Sequence, residues 1–139
     1  MQCMYETFDH TADLGLRIRA ADLNTLFAEA GRALFATLVE NLDSVAAVQQ
    51  IEVNIAGEER DYLLFDWLRE LLYRFDADHL ILSRFEVQVG AAGLQGTAWG
   101  EPLDCSRHEL AHEVKAITYH GLCVQETPDG WLAEVIVDI

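Results

Sequence analysis

Hydrophobic and polar residues alternate with two different periods along this chain, and the switches between them mark out its elements. Leu14, Leu16, Ile18 and Ala20 fall on one face of an extended segment, with Gly15, Arg17 and Arg19 on the other. That is the period of a half-buried strand. The period then lengthens: Asp22 can cap a helix carrying Leu23, Leu26, Phe27, Ala30, Leu34 and Leu38, which runs to about Val39. Residues 45–56 return to alternation, with Ile51, Val53 and Ile55 facing in. A second helix is predicted over residues 58–77, with Leu63, Leu64, Trp67, Leu68, Leu71, Leu72 and Phe75 as its apolar face. Residues 80–89 and 94–99 read as two strands around the turn Gly90-Ala91-Ala92-Gly93, and residues 100–110 as a polar loop or single turn.

The chain closes on two apolar runs, residues 114–124 and 131–137, which flank Thr127-Pro128-Asp129-Gly130. Proline presets φ and Asp-Gly supplies positive-φ positions, so a β-hairpin is predicted. Pairing Glu126 with Trp131 and counting back along the ladder places Asp138 opposite Tyr119, or opposite His120 if Gly130 is bulged. Lys115 then lies about four residues further on, roughly 13 Å at strand rise. With a short β-prone run at residues 3–8, the pattern predicts one α+β domain spanning residues 1–139. Its expected form is a two-layer sandwich: two main helices on a mixed or antiparallel sheet of about six to seven strands.

Charge narrows the partners. The formal net charge is −15 and the sequence pI about 4.4, which argues against direct binding to a nucleic-acid backbone and favours a metal ion or a basic protein surface. The same excess of acid also keeps a protein soluble. Three cysteines without CxxC spacing read as reduced thiols of a cytoplasmic protein. The first residues lack the basic and apolar regions of a signal peptide, and no apolar run is long enough to span a bilayer.

Three constellations carry candidate chemistry. Asp9-His10-Thr11-Ala12-Asp13 joins two predicted strands. Carboxylates and carbonyls held there suit a hard divalent cation, although Asp and Thr also cap turns through their own backbone. Asp138 and the Ile139 carboxylate set two negative charges side by side at the end of an apolar strand. They call for a cation or a basic side chain unless the strand end is solvated. The third is the segment from Lys115, the chain's single lysine, to His120. His120 near Asp138 could ligate a metal, move a proton, orient a ligand, or serve as a structural histidine. His79, His108 and His112 show no zinc spacing, and P-loop, GxGxxG and GxSxG motifs are absent from the sequence.

Taken together, the residues resemble the archease family. The match runs through Tyr5-Glu6, Asp9-His10-Thr11-Ala12-Asp13, residues 23–35, residues 61–75, Gly100-Glu101 and His108-Glu109. It ends on Val114-Lys115-Ala116-Ile117-Thr118-Tyr119-His120 and Val137-Asp138-Ile139, and so covers essentially the whole chain. The resemblance implies a protein cofactor, not an enzyme. It would act on an RtcB-type RNA ligase, promoting GTP-dependent guanylylation and multiple turnover in tRNA splicing or RNA repair. It also implies a divalent ion, usually calcium, held by Asp13, Asp138 and the Ile139 carboxylate, with Mg²⁺ and Mn²⁺ sharing these ligand types. Lys115 is a further functional candidate, and His10 and His120 lie in the same motifs. A different reading, a metal-dependent phosphoester hydrolase using Asp13, Asp138 and His120, predicts turnover by the isolated protein. A third, a general chaperone or adaptor for RNA-modifying enzymes, predicts activity that survives loss of Asp13.

Overall fold

The structure is a computed structural model and describes residues 12–139. Within that span lie two helices and seven strands in two antiparallel sheets. The first sheet joins β1 (Asp13–Ala20), β5 (Ala116–Ile117), β6 (Cys123–Thr127) and β7 (Gly130–Asp138). In it β7 is central: β1 pairs along one edge, while β5 and β6 share the other. The second sheet has the order β2 (Gln49–Ala56), β4 (Gly93–Pro102), β3 (Leu80–Gly90). The expected α+β architecture is therefore present, divided between two sheets. The predicted strand at residues 3–8 lies outside the described residues.

Both helices lie against both sheets. α1 (Leu23–Leu38) packs on β1, β3 and β7, and α2 (Arg60–Asp78) on strands of each sheet. Asp22 caps α1 by accepting a hydrogen bond from the Thr25 N–H at 2.8 Å, satisfying one of the donors a helix start leaves open. The inward residues of α1, Leu26, Phe27, Ala30, Leu34 and Phe35, are fully buried against Leu63, Leu64, Trp67, Leu68 and Leu71 of α2 and the sheet residues Leu82, Ala98 and Val135. Trp67 ties the layers together. Its indole Nε1 donates to the Phe27 carbonyl at 2.9 Å. Its ring fills the place where a Cβ on Gly96 would come within 2.5 Å. Trp67→Phe is therefore expected to cost about 2 kcal/mol, through a lost hydrogen bond and a partly filled cavity; urea denaturation measures it.

From residue 103 onward the polar stretch at residues 100–110 is the expected loop with a single turn. β4 runs on to Pro102, and the side chains of Glu101 and His108 are buried beneath the segment that follows. Glu101 accepts from the Ala46 N–H at 2.7 Å and from Arg107 at 2.8 and 2.9 Å, and lies 3.0 Å from His108 Nε2. The Asp104 N–H donates to His108 Nδ1 at 2.9 Å, so that nitrogen carries no proton and Nε2 is the donor to Glu101. The Arg107 hydrogen bonds, opposed by burial and helped by the Ala46 N–H and His108, hold the Glu101 carboxyl down at about 2. This histidine serves the structure.

Cys123 is a free thiol, as expected, beside Glu134, with Sγ 3.8 Å from Oε1. Burial, followed by the Glu134 charge, pushes that thiol up, which suits a packing residue better than a nucleophile.

Candidate functional site

The terminal strands of the described chain meet where the candidate carboxylates lie. In the β1–β7 ladder Asp13 pairs with Asp138, Leu14 with Val137 and Leu16 with Val135. Side-chain alternation turns Leu14, Leu16, Val135 and Val137 toward the helices, so Asp13 and Asp138 project together from the outer, solvent face. The Ile139 N–H donates to the Ala12 carbonyl at 3.0 Å, which extends the pairing one residue past Asp138. Nothing lies within 4 Å of where a Gly15 Cβ would stand, and the residue opposite Asp138 on β5 is Ala116.

The register corrects the sequence-based pairing. Glu126 does face Trp131, as expected, and the turn itself is Pro128-Asp129, with Thr127 paired to Gly130. Further along, however, Asp138 faces Ala116 and not Tyr119 or His120. Between the pairs Ile117–Val137 and Cys123–Glu134 the chain spends five residues, 118–122, against two on β7, 135 and 136. The surplus is a turn: the Leu122 N–H bonds the Tyr119 carbonyl, and Gly121 takes a φ of 63°, a left-handed conformation that glycine adopts freely. His120 sits exposed on this turn, with its N–H 3.3 Å from Thr118 Oγ1. Lys115, expected about four residues away, instead donates its backbone N–H to the Asp138 carbonyl at 2.7 Å. Its exposed side chain therefore starts from the strand end that carries Asp138.

Chemically, the arrangement is two opposed carboxylates with no ion-pair partner for either among the described residues. Like charges directly opposite on a ladder repel, and a hard divalent cation relieves that with the oxygen ligands it prefers. Among the described residues no cluster of three or more His, Cys, Asp and Glu side chains suits a metal. The described residues thus bring together two oxygen donors, Asp13 and Asp138. His10, with Asp9 and Thr11, lies outside the described residues.

Comparison with known proteins gives the family. A model described as the Archease protein family (MTH1598/TM1083) matches residues 5–139. The chain belongs to the archease family. It is 37% identical over 140 residues to the protein archease of Pyrococcus furiosus, covering 97% of this chain and 98% of that one. It is also 37% identical over 139 residues to the protein archease of Methanopyrus kandleri, covering 97% and 99%. The solution structure of protein 1598 of Methanobacterium thermoautotrophicum superposes with a TM-score of 0.82 at 35% identity, over 95% and 96% of the two chains. An archease from Thermotoga maritima shares the fold at a TM-score of 0.68 and 20% identity, over all of both chains.

Two features of this archease domain escaped the pattern reading. The Tyr119 ring stacks on Phe65 of α2, with centroids 3.9 Å apart and planes 12° from parallel, and meets Tyr62 edge-on at 6.1 Å. The Asp61 carboxylate, in the first turn of α2, accepts from the Val124 N–H at 2.7 Å and so fixes the helix start to β6. Neither has a local sequence signal, because each depends on the turn at residues 118–122 shifting the register.

Proposed function

We propose that this archease activates an RtcB-type RNA ligase by presenting a divalent-metal site at the β1–β7 strand end, promoting GTP-dependent guanylylation and repeated turnover. The observation that supports the reading is the direct pairing of Asp13 with Asp138 on an exposed sheet face, with the Lys115 backbone bonded to the same strand end. Asp13, Asp138 and a carboxylate at Ile139 would hold the ion, calcium being the first choice. Bound there, it would neutralise the paired carboxylates and offer open coordination positions to a ligand from the partner. Ala12 orients Ile139 through its carbonyl, and the Lys115–Asp138 bond keeps β5 in register, so the donors are arranged before any partner arrives. Lys115 would extend a flexible positive charge toward the nucleotide phosphates at the ligase surface. The net charge of −15 favours docking on a basic protein face over binding RNA directly.

The test is ligase guanylylation with GTP, measured with and without this protein and with its Asp138→Asn variant. The side chain is partly exposed on the outer sheet face, so the variant should fold normally. Calorimetric calcium affinity is expected to fall at least about tenfold, and acceleration of guanylylation to disappear with it. Undiminished acceleration by Asp138→Asn would reject the metal site. Phosphoester turnover by the protein alone would reject the cofactor role.

A further inference from the structure

We propose that the cleft between the start of α2 and the turn at residues 118–122 receives an arginine side chain from a basic partner protein. The cleft, about 420 Å³, is lined by Glu59, Asp61, Tyr62, Tyr119 and Leu122. Its tyrosines are 55% and 59% exposed, two of the few large hydrophobic side chains so exposed among the described residues, and they touch one another. Exposed aromatics arranged edge-to-face present a π face to an incoming group, and here the position of Tyr119 is fixed by its stacking on buried Phe65.

The chemistry of the walls selects the guest. Glu59 is the N-cap residue of α2 but makes no side-chain capping bond, so its carboxylate is not committed to the helix. Asp61 uses Oδ1 for the Val124 N–H, which holds the carboxylate in place and leaves its other oxygen to accept. No basic side chain lines the cleft. The nearby arginines are engaged elsewhere: Arg60 stacks over Trp131 at 5.0 Å, and Arg69 lies over Phe65 and pairs with Asp66 at 3.6 Å. The helix start contributes about half a positive charge, which the carboxylates of Glu58, Glu59 and Asp61 outweigh. A planar guanidinium can stack on tyrosine while its N–H groups reach a carboxylate. The base of a nucleotide would also stack, but the nucleotide's phosphates would meet those same carboxylates.

The inference does not depend on the partner being an RNA ligase. Its test uses the full chain and a defined probe: the peptide acetyl-Gly-Arg-Gly-amide, titrated by NMR against the same peptide with citrulline, a neutral isostere. The arginine peptide is expected to give saturable shifts at Tyr62, Tyr119 and Val124, with affinity at least about tenfold above that of the citrulline peptide. The double variant Glu59→Gln/Asp61→Asn should lose that preference while keeping the Val124 hydrogen bond, because the Asn carbonyl still accepts. Tyr119→Leu should lose the response altogether while its amide spectrum elsewhere is unchanged. Equal response to citrulline, no saturable response to the arginine peptide, or shifts at the same residues with guanosine monophosphate would each overturn the proposal.

Discussion

Gly100→Ala is expected to cost at least about 4 kcal/mol of stability and to leave little folded protein at 37 °C. Gly100 sits in β4 between Gln49 of β2 and Leu82 of β3. The register of β3 shifts between Leu82 and Arg84, and this irregularity brings backbone over the glycine. An added Cβ would stand 1.7 Å from the Ile81 carbonyl oxygen and 2.8 Å from the Leu82 Cα. Backbone cannot turn aside as a flexible side chain can. The shift is itself anchored, since Arg32 of α1 donates to the Ser83 carbonyl at 2.8 Å. Gly15→Ala is the control: nothing lies within 4 Å of its Cβ position, so its cost should be under about 1 kcal/mol. Paired urea denaturation curves decide the matter, and equal midpoints for the two variants would contradict the account.

Glu101→Ala should destabilise by about 3 kcal/mol, the lower end of the range for breaking a buried ion pair. It strands the Ala46 N–H and the His108 Nε2–H, whereas Arg107, about half exposed, can return to water. A pH signature should accompany it. Glu101 titrates at about 2 in the folded chain against an ordinary 4.5. Its contribution is therefore fully present above pH 4.5 and is lost as pH falls from there toward 2. Comparing wild type with Glu101→Gln between pH 6 and pH 2 tests this: the stability gap should narrow steadily with acid. A constant gap would mean that the carboxylate's charge does not contribute.

How far the sequence foretold this arrangement depends on the range over which each signal acts. Strong periodicity set α1 and α2 to within a few residues, because burial of one helical face is written into residues three and four apart. The end of α2 was read to within one residue, though without its usual marker. His79 closes it in a left-handed conformation, φ 53°, where a glycine would have been the expected marker. Pro128-Asp129 announced the hairpin and gave the Glu126–Trp131 pair correctly. The same count failed beyond Cys123, because nothing local in Thr118-Tyr119-His120-Gly121-Leu122 states how many residues leave the ladder. At the candidate site, the pairing of Asp13 with Asp138 was legible only through family resemblance, since it joins opposite ends of the domain.

That pairing has a consequence for the order in which the chain can fold. Among the described residues β1 pairs only with β7, about 125 residues later, which at ribosomal rates of about 5–20 residues per second is roughly 6–25 s of synthesis. Through that interval the helices and the β2–β4–β3 sheet can assemble from neighbouring segments, while the edge of β1 that β7 will cover stays open. The facing carboxylates thus come together only at the last step of assembly. A chain cut before β7 would lack the facing carboxylates altogether, however well its helices and the β2–β4–β3 sheet had formed.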